Sequence, residues 1–112
     1  MARAATTTDA FNAVAEPRRR LIVELLGEGE RSVNEIVDAM SAPQPQVSKH
    51  LKVLKEVGVV SSRKDGRQRL YRLDANALRP IHDWVSEFEA MWSDRLDRLD
   101  TYLDEVKRKE QP

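Results

Sequence analysis

The sequence contains no cysteine. That excludes disulfides, thiolate zinc sites, iron–sulfur clusters and thiol redox sensing in this chain. It is compatible with a cytoplasmic, nucleoid-associated protein. Aromatics are scarce, with two Trp, two Tyr and two Phe among 112 residues. No apolar run approaches the roughly 18 residues of a membrane span, so no membrane partner is expected. The start, Met1-Ala-Arg-Ala-Ala-Thr-Thr-Thr, holds no hydrophobic segment and is not expected to be a secretory signal. There is no internal repeat, no Gly-rich phosphate loop, no nucleophile–base pair and no metal cluster. An enzyme, a cofactor and a metal are therefore not expected. Net charge is also lacking: 19 basic residues face 19 acidic ones. As a sum, zero argues against a nucleic-acid binder, which usually carries a basic excess. A sum hides a distribution.

Charged residues make up 34% and apolar ones 40%, a soluble globular profile of one domain's length. A chain this short buries a modest core, and a second chain would help it.

Residues Asp9 to Ala15 read as a short helix capped by Thr8 or Asp9, with Phe11, Val14 and Ala15 on one side. Pro17 suits a first helical position, where its missing N–H is not needed. Leu21, Ile22, Leu25 and Leu26 follow at helical spacing and Gly27 ends the run. Glu28 to Arg31 reads as a turn. Ser32-Val33-Asn34-Glu35 predicts a capping box, opening a helix with Val33, Ile36, Val37 and Met40 inward. Ser41-Ala42-Pro43 breaks it. A new helix starts near Gln44, with Val47, Leu51 and Leu54 as its apolar stripe and Val57-Gly58 as its end. Two helices joined by a short turn form a helix-turn-helix candidate.

Two β-prone runs follow, 59–64 and 68–73, around Asp65-Gly66. That dipeptide predicts a two-residue hairpin turn. Counting back from it pairs Lys64 with Arg67, Ser62 with Arg69 and Val60 with Tyr71, and turns Val60, Tyr71 and Leu73 toward the domain. A helix-turn-helix followed by a basic hairpin is a winged helix. The fold class expected is mostly α with a small β-hairpin.

The last segment reads as one long helix, capped by Asp74 or Asn76 and bent by Pro80. Leu78, Ile81, Val85, Phe88, Trp92, Leu96, Leu99, Leu103 and Val106 recur at steps of three and four, close to a heptad seam. Trp84, Met91 and Tyr102 widen the stripe. A helix over 80–108 would be roughly 43 Å long, more than a domain about 30 Å across can cover. The surplus stripe predicts a homodimer through Phe88, Trp92, Leu96, Leu99 and Leu103, with Phe11 of the first helix contributing. The expected organisation is a flexible N-terminus over 1–8 and a winged helix-turn-helix over 9–79. A dimerisation helix over 80–108 follows in the same compact unit, then a tail over 109–112.

The charge is polarised along the chain. Residues 43–79 hold nine basic side chains against three acidic, a net +6. Residues 16–42 hold four against six, and residues 80–112 hold five against nine. The positive block coincides with the second helix and the wing. Phosphate neutralisation by such a block supplies most non-specific DNA affinity. On a helical wheel Lys49 and Lys52 point away from the apolar stripe, with Gln46 and Ser48 beside them and Gln44 at the N-terminal tip. Gln can pair with adenine, Ser can donate or accept, and Lys serves guanine or phosphate. Gln44, Gln46, Ser48 and Lys49 are thus the base-reading candidates. Lys52 and the wing residues Arg63, Lys64, Arg67 and Arg69 are the phosphate or minor-groove candidates. His50 lies closer to the apolar side and is expected to pack, with some backbone contact to DNA.

Ser48-Lys49-His50-Leu51, followed by Leu54-Lys55-Glu56-Val57-Gly58-Val59-Val60, resembles the recognition helix of the ArsR/SmtB family of winged-helix repressors. Glu16-Pro17-Arg18-Arg19 with Leu21-Ile22 is similar to that family's first long helix, and Asp65 to Leu73 to its wing. The resemblance covers about residues 9–90. It implies a homodimer that binds a palindromic operator on double-stranded DNA and represses transcription. The sequence departs from the family's metal sensors. The helix matching their Cys-x-Cys site, 32–40, has no thiol. His82 and Asp83 are adjacent and no second His follows. The tail from Trp92 to Leu103 looks like a subgroup without those metal sites. An unknown small-molecule inducer near Trp84, Phe88 or Trp92 stands as an alternative to a core role for those aromatics. A protein-interaction module built on the winged helix and the long helix is the alternative function.

Overall fold

The computed structural model describes residues 9–110. Residues 1–8, expected to be flexible and including the alternative cap Thr8, lie outside the described residues, as do 111–112 of the tail. The elements are α1 (Ala10–Ala15), α2 (Pro17–Gly27), β1 (Arg31–Ser32), α3 (Val33–Met40), α4 (Gln44–Glu56), β2 (Val60–Asp65), β3 (Gln68–Leu73), a 3₁₀ turn (Ala75–Leu78), α5 (Arg79–Ser86) and α6 (Glu89–Glu110). The chain divides into two compact units, Met1–Pro80 and Ile81–Pro112.

In the first unit each helix start follows from local chemistry. The Asp9 carboxylate accepts from the Asn12 amide at 2.7 Å and opens α1. Glu16 does the same for α2, accepting from Arg19 N at 3.0 Å just ahead of Pro17. The predicted capping box is present: the Glu35 amide donates to Ser32 Oγ at 3.2 Å, and the Ser32 amide donates to Glu35 Oε1 at 2.9 Å. These Ser32 bonds hold the Glu35 carboxyl below its usual range. Ser41 ends α3 in the left-handed region, with φ 52°.

The core is formed by Ile22 and Leu26 of α2, Ile36 of α3, Val47, Leu51 and Leu54 of α4, and Val59 and Val60 at the start of the hairpin. The expected stripe of α4 is therefore the buried one. In α1 the buried pair is Ala10 and Ala13, whereas Phe11 is exposed. Small side chains there let α1 lie against α2 and α4. Leu21, the first of the four apolar residues at helical spacing, is also exposed.

The sheet has three strands in the order β1-β3-β2, all antiparallel. The sequence reading treated β1 as part of a turn. Two residues carry no periodicity, so no pattern announced it. The hairpin register also differs from expectation. Val60 pairs with Leu73, Ser62 with Tyr71 and Lys64 with Arg69, and Asp65 opposite Gln68 closes the ladder. The turn residues are thus Gly66-Arg67 rather than Asp65-Gly66. Only Gly66 of the two has positive φ, 64°. That fits a turn with glycine at its first central position, whereas the alternative needs positive φ at both. The register moves by two residues, an even step, so side chains keep their faces. Val60 remains buried, and Tyr71 and Leu73 remain half-buried.

In the second unit the expected single helix is two. The Glu87 amide donates to Trp84 O at 3.2 Å and the Phe88 amide to Val85 O at 3.0 Å, a tightened turn between α5 and α6. Neither Gly nor Pro marks this break. Ser86 Oγ donates to the His82 carbonyl at 2.8 Å, a back-bond that bends helices. The Trp84 and Phe88 rings meet edge to face, 5.5 Å apart. α6 has 22 residues, about 33 Å of helix. The aromatics weighed as core are exposed in the protomer: Trp84, Phe88 and Trp92 join Met91, Leu96, Leu99, Tyr102 and Leu103 on the surface. No helix among the described residues is long and apolar enough to cross a membrane.

Candidate nucleic-acid interface

The outward face of α4 is built by elimination. Val47, Leu51 and Leu54 fix the buried direction. The period of 3.6 then leaves Gln44, Ser48, Lys49 and Lys52 exposed and Gln46 half-exposed. Among the described residues the side chain of neither Lys49 nor Lys52 makes an ion pair or hydrogen bond. Their charge is available to solvent.

His50 stands apart from that face. Its side chain is 15% exposed, and Nε2 lies 3.8 Å from Glu16 Oε2. Nε2 is buried and has no hydrogen-bond partner. The imidazole therefore faces the start of α2, as the packing role expects, and not outward with the lysines.

The wing candidates divide into two kinds. The side chains of Lys64 and Arg67, at the tip, are exposed and make no ion pair or hydrogen bond among the described residues. Arg63 is committed: Nε and Nη2 donate to the two carboxylate oxygens of Glu30 at 3.0 and 2.8 Å. This bond, helped by the Coulomb pull of Arg63 and Arg72 and opposed by burial, holds the Glu30 carboxyl below its usual range. Glu30 thus remains ionised and paired through neutral pH, and the pairing is lost only as pH falls through that lowered value. Arg69 Nη1 donates to Ser62 Oγ at 3.2 Å, and Lys55 Nζ donates to the same hydroxyl at 2.9 Å. Arg72 Nε donates to Ser61 Oγ at 3.0 Å. These bonds tie the end of α4 and the outer strand into one cationic surface.

Sequence reasoning missed Glu30 as the partner of Arg63. The signal needed was β1, since pairing Arg31 with Tyr71 brings the preceding residue to the sheet. It also missed Arg18, which shares a groove with Pro43, Pro45, Gln46, Lys49 and His50.

Residues 16–62 match the family described as bacterial regulatory protein, arsR family. Over 63 residues the chain is 52% identical to the HTH-type transcriptional repressor SmtB of Mycobacterium tuberculosis, covering 56% of this chain and 47% of that protein. The chain thus spans about half the length of that relative. Over 78 residues it is 37% identical to an uncharacterized HTH-type transcriptional regulator of Methanocaldococcus jannaschii, covering 69% of this chain and 88% of that protein. A solution NMR structure of a homodimeric winged helix-turn-helix DNA-binding domain from Mycobacterium bovis, a possible ArsR-family regulator, is similar with a TM-score of 0.58. Identity to it is 32%, over 68% of this chain and 73% of that one. With the helix-turn-helix, the wing and these relatives together, the chain belongs to the ArsR family of bacterial regulatory proteins.

Proposed function

We propose that the protein is a homodimeric, sequence-specific DNA-binding repressor of a palindromic operator, acting in the cytoplasm and not through thiol-bound metal. The observation that carries this reading is the coincidence of cations that have no partner among the described residues with the outward face of α4 and the tip of the hairpin. Those are the two parts a winged helix presents to a duplex. Gln44, Gln46, Ser48 and Lys49 read base edges in the major groove, and Lys52, Lys64, Arg67 and Arg69 hold phosphates. Two copies place two recognition helices about 34 Å apart, one helical turn of DNA. The exposed apolar residues of α6 supply the contact between copies.

A mobility-shift titration tests the reading. A salt-sensitive shift in the nanomolar range is expected on palindromic DNA from upstream of the regulated gene. Equal affinity for random DNA at physiological salt would overturn sequence specificity. Ser48→Ala and Lys49→Ala should each weaken operator binding by about 5-fold to 150-fold, the value of one good base contact, without altering dimerisation. Normal binding by both variants would show that the recognition face lies elsewhere.

Glu30 sets the strength of the wing. Glu30→Gln removes the carboxylate that occupies Arg63. The freed guanidinium should tighten binding to any duplex and steepen the dependence of log K on log salt by about 0.9 per protomer. An unchanged slope would mean that Arg63 does not reach DNA even when released.

A further inference from the structure

We propose that Arg18 is a DNA-backbone contact, holding the phosphodiester that flanks the major-groove site read by Gln46 and Lys49, beside the N-terminal end of the recognition helix. This rests on the DNA-binding reading above.

Three arginines run consecutively at the start of α2, and the structure uses two of them internally. Arg19 Nε donates to the Ala13 carbonyl at 2.6 Å and its Nη2 to Asn12 O at 3.3 Å. Arg20 Nη1 donates to Val14 O at 2.9 Å and Ala15 O at 3.2 Å. Together they satisfy carbonyls at the C-terminal end of α1, where cations suit the helix dipole. Arg18 does none of this. It is exposed and makes no hydrogen bond or ion pair among the described residues.

Its surroundings select an anion. Among the described residues, the groove it lines with Lys49 contains two cations and no carboxylate. The nearby acid, Glu16, already accepts from the Arg19 amide and faces His50. α4 begins at the same groove with no side-chain cap and no acidic residue in its first turn, so the positive end of its dipole is not offset. Pro43 and Pro45 bring rigid walls without N–H groups, which leaves the guanidinium and the ammonium as the groove's strong donors. A guanidinium fork suits two oxygens of one phosphate. Gln46 and Lys49, both on this groove, are also on the face that would enter the major groove, so the phosphate belongs to the strand flanking it.

The test is the salt dependence of binding to operator and random duplexes by wild type, Arg18→Gln, Arg18→Lys and Arg108→Gln. Arg18→Gln should weaken both duplexes by the same factor. It should make the slope shallower by about 1.8 for a dimer that loses one contact in each protomer. Arg18→Lys should recover most of the slope, since a phosphate contact needs the charge. Arg108→Gln, an equal loss of charge at the end of α6, should leave the slope unchanged. Sedimentation and circular dichroism should match wild type for all three, because the Arg18 side chain makes no hydrogen bond or ion pair among the described residues. A wild-type slope for correctly folded Arg18→Gln would overturn the proposal, as would a loss confined to the operator, which would make Arg18 a base reader. Failure of wild type to bind any duplex would instead overturn the DNA-binding reading itself.

Discussion

Leu99→Glu is expected to convert the protein to a monomer at micromolar concentration and to weaken operator binding by about 100-fold to 10,000-fold. Trp92, Leu96, Leu99 and Leu103 repeat at steps of four, three and four, so they share one side of α6. Leu99 is 50% exposed in the protomer. A second copy covering that seam would enclose a carboxylate with no partner, at a cost of several kcal/mol. The protomer loses little, because half of the side chain already faces solvent. Circular dichroism should therefore show near-native helix content while sedimentation shows half the mass. The DNA effect follows from linkage: two reading heads on one particle make the second contact intramolecular, and that advantage is worth a factor of about 10² to 10⁴. A Leu99→Glu protein that stayed dimeric would move the interface elsewhere, with α1 and its exposed Phe11 as the next place to look.

Much of this architecture was legible because the relevant signals are local. Ser32 and Glu35 announce their capping box in four residues. The stripe Val47, Leu51, Leu54 sets the orientation of α4, and the outward face follows from it by geometry alone. The parts that escaped depend on partners distant in sequence or on competing local choices. β1 is two residues long and exists through its pairing with β3, so its own sequence carries no period. Glu30 then reaches Arg63 across 33 residues of sequence, and no spacing rule connects them. The hairpin turn was misplaced by one position because Asp65-Gly66 and Gly66-Arg67 both offer a glycine suited to positive φ. The longer ladder, closed by Asp65 and Gln68, decided between them. The break after Ser86 escaped because a serine back-bond leaves no Gly or Pro as a marker. Arg18 escaped for a different reason: it sits in an acidic stretch of the chain, and charge summed along sequence cannot show which cations adjoin α4 in space.

Leu54→Ala is expected to destabilise the first unit by about 2–5 kcal/mol and to lower its melting temperature by ten degrees or more. Leu54 is completely buried on α4, which packs against α1, α2, α3 and β2. Truncation removes three carbons from a site whose walls come from several elements, so the cavity cannot close by moving one of them. A unit of this size has about 4–12 kcal/mol of stability in all, so the loss is a large share of it. Lys52→Ala, two residues earlier on the opposite face, should change stability by no more than about 0.5 kcal/mol while still weakening DNA binding. Urea denaturation of both variants at one protein concentration separates the two roles, since a dimer's apparent stability depends on concentration. If Leu54→Ala cost less than 1 kcal/mol, the buried direction of α4 would be wrong. The outward face derived from that direction, and with it Ser48 and Lys49 as readers of DNA, would be wrong for the same reason.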